Sequence, residues 1–359
     1  MIGFREDRIK ETVSVTAVIV SHNRKHRLKE SLHALSRQTV WPERIIVVDN
    51  ASTDGSVEYA ADALGLWPRE VTVELIDLDE NTGGAGGFAV GIAAALVPTA
   101  LNNGGDNSRQ GVSDWIWVMD DDTIPHPTAL GNAVRAHSKY AAAGPDHLAV
   151  MGSRVEWVDG SDHPMNTPKP KIGARRAERL RAEANNCMEI RSISFVSAFL
   201  RTSRVLQEGL PVASYFLWND DFEYSARLLN GARGLCVLDS VVTHKTATAK
   251  SSDTDPGARF KFEVRNKIWV FTRSRALQPW ERVAYTGASV RRWLRTFIKS
   301  TDRSALLQYF LEGLREGITT KPETNAQALQ NAEVPHAIAE VLKNSDADTF
   351  RLTKRRRKQ

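Results

Sequence analysis

The chain has 359 residues, 42% of them hydrophobic and 25% charged, which indicates a globular protein with one large α/β domain and an extension or with two modest domains. Two cysteines outside any metal-ligand spacing suit a reducing compartment, and the first segment, MIGFREDRIK, lacks the apolar stretch of a secretory leader. No apolar run reaches the roughly 18 residues that a membrane span needs, so a membrane-spanning protein is not expected.

Apolar runs of strand length alternate with helix-like segments through the first half of the chain. Such alternation predicts an α/β fold with a mostly parallel sheet covered by helices on both faces. The predicted strands are Val13–Val20, Arg44–Asn50, 71–78, Trp115–Met119 and 147–153, and the predicted helices are Lys25–Ser36, one from near Asp54, Phe88–Leu96 and Thr128–Tyr140.

Polar motifs follow three of these strands: SHNR after the first, DN at the end of the second and DDD after the run WIWVM. In a parallel sheet, ligands bind beyond the carboxyl ends of the strands, and those ends lie along one edge. The convergence of the three motifs therefore predicts a ligand site at that edge.

The second half of the chain is less regular. Residues 157–190 are polar and then basic, which predicts a mobile excursion, and ISFVSAFL indicates a strand that returns to the sheet. The segment YFLWNDDFEYSARLLNG predicts a loop followed by a helix, and GLCVLDSVVTHK predicts a strand that ends at His244. From about Glu263 onward the pattern is helical.

Three adjacent carboxylates, Asp120 to Asp122, follow a buried strand, where their mutual repulsion needs compensation. Solvation fits poorly with a buried strand, and helix capping needs one acid rather than three. In an extended segment residues i and i+2 point the same way, so Asp120 and Asp122 can reach one cation. Oxygen ligands select Mn²⁺ or Mg²⁺, which would leave coordination positions for a substrate diphosphate.

His244 is a candidate third ligand because it also follows an apolar strand, and the alternative is a structural histidine. In WNDDFEY, the acids Asp220, Asp221 and Glu223 stand among aromatic residues, which exclude water and can raise a carboxylate pKa toward that of a general base. The same acids also suit a helix N-terminus capped by Asn219 or Asp220, and both interpretations stay open.

The segment NTGGAGGF starts at Asn81 and has the pattern GGxGG rather than the GxGxxG of a dinucleotide-binding loop. No acid ends a following strand at the distance that such a loop requires. Its glycines would still allow backbone N–H groups to approach an anionic or sugar ligand closely.

Over roughly residues 13–275 the chain resembles family 2 glycosyltransferases with a GT-A fold. The motifs that carry the resemblance occur in the family's order: VTAVIVSHNR, RIIVVDNASTDGS, NTGGAGGFAVGI, DWIWVMDDDTIP, WNDDFEY and RNKIWVFTR. NTGGAGGF with DWIWVMDDD is most similar to bacterial galactofuranosyltransferases of actinobacterial cell-wall galactan synthesis, with rhamnosyltransferases as near neighbours. The resemblance implies an inverting, metal-dependent transfer of a sugar from UDP-galactofuranose, or from dTDP-rhamnose, to a hydroxyl of a polysaccharide or polyprenyl-linked glycan.

The resemblance also implies a role for each matching residue. The metal ligands would be Asp120, Asp122 and His244. The general base would be Asp221, while Asp220 and Glu223 would orient it and, with Trp218, contact the acceptor. The donor would be bound by Ser21, Asn23, Arg24, Asp49, Asn50, Asp54, Asn81, Gly83, Gly84, Gly86, Asp120 and Asp121, with Asp49 at the nucleotide base or ribose.

By the same resemblance, residues 1–262 would form the GT-A catalytic domain, with a nucleotide-sugar-binding half at 13–155 and an acceptor-binding half at 156–262, and 263–359 a helical region with a basic tail. The stretch SVRRWLRTFIK is amphipathic, so its apolar face would pack against the catalytic domain or lie on an anionic membrane. The tail Lys354–Lys358 is either a solvated end or a contact with anionic lipid or nucleic acid. We expect a cytoplasmic protein attached peripherally to the inner face of the plasma membrane.

Two other functions compete with this prediction. A sugar nucleotidyltransferase also combines a parallel sheet with paired acids, but it needs an early glycine-rich triphosphate loop, and VSHNR lacks glycine. A nucleic-acid binder is suggested only by the tail and leaves the acids at the strand ends without a role, so no nucleic-acid partner is expected.

Overall fold

A computed structural model of the chain describes residues 13–99, 111–246 and 256–350. The predicted tail contact at Lys354–Lys358 lies outside these residues. The elements of the first half are β1 (Val15–Ser21), α1 (Lys25–Ser36), β2 (Arg44–Asn50), α2 (Ser56–Gly65), β3 (Thr72–Leu78), α3 (Gly83–Ala95) and β4 (Trp115–Asp120). Their strands pair in the order β3-β2-β1-β4, and all of these pairs are parallel.

Strand register places the polar motifs side by side. Ser21 at the end of β1 lies opposite Asp49 in β2, and Val20 lies opposite Asp120 in β4. The three motifs therefore share one edge of the sheet, as the sequence predicts for the carboxyl ends of parallel strands.

The second half of the chain completes a 10-stranded sheet in the order β3-β2-β1-β4-β9-β6-β10-β8-β7, with β5 paired to β10. Its elements are β5 (Thr123–Pro125), α4 (Ala129–Ala142), β6 (Leu148–Glu156), β7 (Lys169–Pro170), α5 (Arg176–Glu183), β8 (Cys187–Ser192), β9 (Ala198–Arg201), α6 (Thr202–Glu208), α7 (Asp220–Leu228) and β10 (Arg233–His244). The β9 strand is antiparallel to both β4 and β6, whereas β10 is parallel to β6. The α/β class is confirmed, but the sheet is mixed beyond β4, because an apolar run does not specify the direction in which a strand pairs.

Residues 157–190 are not an irregular excursion, contrary to the sequence prediction. They contain β7, α5 and the start of β8, and β8 pairs antiparallel with β10. Their polar side chains have partners: Glu178 of α5 lies 3.1 Å from Lys171 and 2.9 Å from Arg233 of β10. The charges that suggested a mobile segment therefore fix it to the edge of the sheet.

The two faces of the sheet carry separate apolar clusters. In β4, the side chains of Trp115, Trp117 and Met119 pack with α1, α2 and α4, whereas Ile116 and Val118 pack with α3. This alternation is the period of two expected of a strand that is buried on both faces.

The C-terminal region is helical, as predicted, and shares its core with the sheet domain. Its elements are α8 (Phe260–Arg273), α9 (Pro279–Lys299), α10 (Arg303–Thr319), α11 (Asn325–Ala328) and α12 (His336–Thr349). Leu329, Ile338 and Leu342 belong to the same apolar cluster as α3 and the sheet. None of the helices described in residues 13–99, 111–246 and 256–350 is long and apolar enough to span a bilayer.

Candidate active site

The carboxyl ends of β4 and β10 bring together three side chains that can hold a cation. Ligand atoms of Asp120, Asp122 and His244 all lie within 4.8 Å of one another. Backbone pairing fixes this arrangement, because Thr123 of β5 pairs with His244 and the Lys245 N–H donates to the Asp122 carbonyl oxygen at 3.0 Å. The structure thus assembles the residues that the sequence predicts as metal ligands.

The chemistry of this cluster fits a divalent cation. Asp122 Oδ1 is buried and accepts no hydrogen bond from the described residues, although His244 Nε2 lies 3.0 Å away. His244 Nδ1 lies 2.8 Å from the amide oxygen of Asn166, so the ring donates its Nδ1 proton there and can present the Nε2 lone pair to a metal. Sequence reasoning missed Asn166, because nothing in the local pattern connects it with a histidine 78 residues away.

Burial makes the negative charge of the cluster costly. Together with the charge of Asp122, it raises the pKa of Asp120 to about 7. It also raises the pKa of Asp121 to about 6, although the charge of Arg24 opposes this shift. For Asp122, burial is outweighed by the close contact with His244, which holds the pKa of Asp122 below its ordinary value and raises the pKa of His244. A divalent cation would relieve this concentration of charge.

Arg24 and Ser21, both predicted to contact the donor, support the aspartates. Arg24 Nη1 lies 2.8 Å from Asp122 Oδ2 and 3.3 Å from Asp121 Oδ1, and Ser21 Oγ donates to Asp121 Oδ2 at 3.0 Å. One cation of the chain itself therefore compensates part of the acidic run. The Arg24 side chain is still 54% exposed, so an anionic ligand can also reach it.

Asp49, the predicted contact of the nucleotide, has one carboxylate oxygen that accepts no hydrogen bond from the described residues. It is fully buried, and its Oδ2 accepts a hydrogen bond from the Ser52 N–H at 2.7 Å. Its Oδ1 is buried and has no partner among the described residues, and burial raises the pKa of Asp49. Buried polar atoms are normally hydrogen-bonded, so this oxygen suits an N–H or O–H group of a ligand.

Other predicted donor residues hold the loops in shape. Asn50 Nδ2 donates to the Gly83 carbonyl oxygen at 2.9 Å, Asn81 Oδ1 accepts from the Gly83 N–H at 2.9 Å, and Asn23 Oδ1 accepts from the loop after β2 at 2.8 Å. Asp54 accepts from the Lys25 N–H with one oxygen and from the Ser56 N–H with the other. Both carboxylate oxygens of Asp54 thus accept hydrogen bonds within the chain, and its predicted contact with the donor stays a prediction.

The glycines of NTGGAGGF serve packing more than ligand binding. The helix α3 already begins at Gly83, before the predicted start at Phe88. Gly83 has a φ of 70°, and a Cβ there would lie 2.1 Å from the Phe216 carbonyl oxygen, while a Cβ at Gly86 would lie 2.4 Å from the Thr82 side chain. Of the three glycines predicted to border the donor sugar, Gly84 lines the cleft; Gly83 and Gly86 stand at close packing contacts, and their role at the donor stays a prediction.

A strained loop precedes the acid pair on α7. Phe216, Trp218 and Asn219 have φ angles of 59°, 67° and 66°, which residues other than glycine rarely adopt. Asn266 of α8 stabilises this loop, because its Nδ2 group lies 2.8 to 2.9 Å from three carbonyl oxygens of residues 215–218. The motif RNK contains Asn266, but the sequence alone assigns it no role.

Asp220 and Asp221, the first residues of α7, face the cleft. Burial, reinforced by the charge of Asp221, raises the pKa of Asp220 well above its ordinary value. Burial also raises the pKa of Asp221, although the Phe222 N–H, which donates to it at 2.6 Å, and the charge of Lys267 oppose this shift. The charge of Asp120 also acts on Asp220, so the acid pair and the metal-ligand cluster are neighbours. A carboxylate with a raised pKa is suited to general-base chemistry.

Glu223 is not among the residues that line the cleft, and its predicted roles in binding the acceptor and orienting the base stay predictions. Its Oε1 lies 2.8 Å from Arg227 Nε and its Oε2 lies 3.1 Å from Arg227 Nη2. Ser274 Oγ also donates to Oε1 at 2.5 Å. The side chain points into the interior from the α7 face that packs toward the end of α8, where the i,i+4 partner Arg227 neutralises it.

One cavity of about 660 Å³ connects the two groups of acids. Asp120 and His244 line it together with Asp220 and Asp221, and Trp218 contributes an aromatic surface. A phosphate group held by a cation and a hydroxyl group beside a carboxylate base would therefore share one space.

Comparisons with known proteins agree with this geometry. Residues 16–201, more than half of the chain, match the family model described as Glycosyl transferase family 2. Galactofuranosyltransferase GlfT1 of Mycobacterium tuberculosis is 30% identical over 295 residues, which cover 76% of this chain and 88% of that protein. The N-acetylglucosaminyl-diphospho-decaprenol L-rhamnosyltransferase of the same organism is 27% identical over 155 residues, covering 43% of this chain and 45% of that protein.

Among solved structures, S. aureus TarS 1-349 in complex with UDP superposes on 94% of this chain and 90% of that chain, with a TM-score of 0.56 and 13% sequence identity. This likeness concerns the fold. The fold and the family match define an enzyme of the glycosyltransferase class with a GT-A architecture. The chain belongs to glycosyl transferase family 2, which confirms the resemblance predicted from the motifs.

Proposed function

We propose that this chain is an inverting, metal-dependent galactofuranosyltransferase that uses UDP-galactofuranose and a lipid-linked or polysaccharide acceptor. The observation that carries the proposal is the single cleft lined by Asp120 and His244 of the metal-ligand cluster and by Asp221. Galactofuranose is favoured because the GlfT1 match covers most of both chains, whereas the rhamnosyltransferase match covers less than half of each. Transfer of rhamnose from dTDP-rhamnose is the alternative.

On the donor side, Asp120, Asp122 and His244 would hold Mn²⁺ or Mg²⁺, which when bound supplies Lewis-acid stabilisation of the departing diphosphate. The exposed part of Arg24 adds a positive charge at the same place. Asp49 Oδ1 would accept a hydrogen bond from the nucleotide base or ribose, because it is buried without a donor from the described residues.

On the acceptor side, Asp221 takes the proton of the attacking hydroxyl group. Burial raises the pKa of Asp221 and so makes its carboxylate a stronger base than an exposed aspartate. Asp220 and Trp218 would contact the acceptor, and Gly84 would border the donor sugar. Attack from the face opposite the diphosphate inverts the anomeric carbon, so no covalent intermediate is required.

A donor screen tests the proposal. Purified protein is incubated with Mn²⁺, a lipid-linked rhamnosyl acceptor and either UDP-galactofuranose or dTDP-rhamnose, and nucleotide release and product mass are measured. We expect transfer with UDP-galactofuranose. If only dTDP-rhamnose supported transfer, the enzyme would be a rhamnosyltransferase instead. Release of nucleotide without a glycosylated product would contradict the transferase function.

Two substitutions separate the chemical roles. Asp221→Asn should lower kcat about 10²–10⁴-fold while calorimetry shows unchanged donor binding, because the base is removed without altering the metal ligands. Asp122→Ala should abolish both metal-dependent donor binding and transfer. The control is Asp62→Asn, an exposed aspartate on α2, which should change neither. Near-normal turnover of Asp221→Asn would show that another group is the base.

We also infer that residues 263–359 attach a catalytic domain, residues 1–262, to the inner, cytoplasmic face of the plasma membrane. Trp293 and Phe297 of α9 pack against Phe310 of α10. The neighbouring side chains of α9 point outward at helical spacing: Leu294 is 59% and Ile298 is 72% exposed. Exposed aliphatic residues next to Arg and Lys suit an anionic bilayer surface.

Vesicle sedimentation tests this attachment. The full chain should sediment with vesicles that contain phosphatidylglycerol and less with phosphatidylcholine alone. The double variant Leu294→Glu and Ile298→Glu should lose most of the sedimentation, whereas Leu206→Glu, at a residue 58% exposed on α6, should keep it. Equal sedimentation of all three proteins would contradict attachment through α9.

A further inference from the structure

Beyond Asp221 the cleft continues into a second cavity of about 320 Å³, which shares seven lining residues with the first, among them Lys169, Asp221 and Arg292. We call this cavity the basic chamber, because three cationic side chains line it: Lys169 of β7, Lys267 of α8 and Arg292 of α9. The predicted metal ligands are not among its lining residues. Asp221, Lys169 and Arg292 therefore line both cavities, whereas Lys267 lines the basic chamber alone.

Lys267 is the most deeply buried of the three cations. It is 9% exposed, and its ammonium group lies 4.3 Å from the centroid of the Phe222 ring. Within the described residues this ammonium group makes no hydrogen bond and has no carboxylate within ion-pair distance. Burial lowers the pKa of Lys267, although the charges of Glu263 and Asp221 oppose the shift. Because Lys267 lines the chamber and its ammonium group has no acceptor among the described residues, an anionic ligand in the chamber could pair with it.

Two acids, Glu263 and Asp221, lie near the cations of the chamber. Glu263 has one oxygen engaged by Asn219 Nδ2 at 2.7 Å, and its other oxygen lies 3.9 Å from Arg292 Nη1. Asp221 also lines the chamber, and in the proposed function it is needed for the proton of the acceptor.

The wall of the chamber nearest α9 is partly apolar, since Tyr285 and Ala288 line it. The same helix carries the exposed Leu294 and Ile298 farther along its length. An acceptor with a sugar at Asp221 and a phosphate group in the chamber would therefore have an apolar surface available for an attached lipid.

We propose that Lys267, Lys169 and Arg292 bind the phosphate or diphosphate group of a lipid-linked acceptor and so orient its sugar hydroxyl toward Asp221. This inference rests on the proposed transferase function. It assigns the two diphosphates of the reaction to different places: the donor diphosphate to the metal-ligand cluster and the acceptor phosphate to the basic chamber.

The test compares two acceptors with the same glycan, one on a short prenyl diphosphate and one on an uncharged alkyl glycoside. For the wild-type protein we expect the KM of the diphosphate acceptor to be about tenfold lower or better. Lys267→Met should raise that KM about tenfold and change the KM of the alkyl glycoside and of the donor less than about twofold. Lys169→Gln alters an exposed side chain, so it should fold normally and raise the same KM by a smaller factor.

Binding of inorganic pyrophosphate in EDTA gives a readout that is independent of turnover. Calorimetry should show binding to the wild type and to Lys139→Gln, an exposed control on α4, with weaker binding to Lys267→Met and Lys169→Gln. Absence of binding to the wild type would overturn the inference.

Kinetic outcomes distinguish the remaining explanations. An equal loss of kcat with both acceptors would show that Lys267 acts only as a positioning residue for Asp221, and a raised donor KM would assign the chamber to the donor. Either result would overturn the inference. A wild-type protein that binds pyrophosphate but transfers no sugar to either acceptor would contradict the proposed function instead.

Discussion

The two sides of the cleft are built in different ways. On the proposed donor side, Ser21, Asp49 and Asp120 stand at the ends of paired strands, so they are placed by backbone register. On the proposed acceptor side, Asp220 and Asp221 begin a helix, and the loop before them is fixed by Asn266 from α8. The donor side is therefore positioned by the sheet itself, and the acceptor side by tertiary contacts with the C-terminal helices.

This difference predicts how each side responds to change. Strand register is determined by many backbone hydrogen bonds and apolar contacts, so single substitutions at the sheet edge should alter chemistry more than position. A loop with three left-handed residues depends on a few side-chain contacts, so substitutions there should alter position.

Glu223→Gln should destabilise the fold without changing the chemistry. The substitution removes the buried partner of Arg227 and leaves its charge uncompensated, which should lower the free energy of unfolding by about 3–5 kcal/mol. Denaturant unfolding measures this loss, and kcat/KM of the folded fraction should stay within about threefold of the wild type. Asp221→Asn is the opposite case, with unchanged stability and little turnover. If Glu223→Gln lost acceptor binding without losing stability, Glu223 would have a role in binding the acceptor.

Asn266→Ala should affect the acceptor side alone. The substitution removes the amide group that contacts three carbonyl oxygens of the loop, so kcat/KM for the acceptor should fall about 100-fold. Binding of UDP with Mn²⁺ should change less than about twofold. Asn50→Ala, which loosens the loop before α3, is the matched change on the donor side and should weaken UDP binding instead. If both variants weakened UDP binding equally, the two sides would not be positioned independently.

The pH dependence of stability tests the charge at the sheet edge. In metal-free protein the pKa of Asp120 is raised from 3.8 to about 7, so its contribution to stability is complete below about pH 4 and is lost as pH rises through about 7. Asp120→Asn cannot ionise, so in EDTA its free energy of unfolding relative to the wild type should rise by about 1–3 kcal/mol between pH 4 and pH 8. Added Mn²⁺ should reverse the order at pH 8 by stabilising the wild type. Parallel pH profiles of the two proteins in EDTA would contradict the burial of this charge.

Most of the donor side could be predicted from the sequence because its signals are local. The helix Lys25–Ser36 has the predicted bounds, and β10 ends at His244 as predicted. The i, i+2 spacing of Asp120 and Asp122 places both carboxylates in the metal-ligand cluster. Polar residues directly after apolar strands mark the carboxyl edge of a parallel sheet, and recognising them requires no knowledge of distant contacts.

The acceptor side could be predicted only in part, because its geometry depends on distant contacts. The acid pair of WNDDFEY could be recognised in the sequence. The inward orientation of Glu223, which pairs with Arg227, could not, because the spacing of the acids does not show which of them face the cleft. Asn166 and Asn266 act through partners many residues away, and Lys267 becomes notable only because its burial leaves it without an acceptor. The direction of β9 was equally hidden, since an apolar run pairs in either orientation.

Calorimetry of Mn²⁺ binding, with and without UDP, tests most directly whether the acids at the end of β4 hold a divalent ion for a nucleotide diphosphate. We expect Mn²⁺ to bind the wild type and UDP to tighten this binding, whereas Asp122→Ala and His244→Ala should lose both effects and Asp62→Asn should keep them. Equal Mn²⁺ and UDP binding by the wild type and the two ligand variants would contradict this expectation.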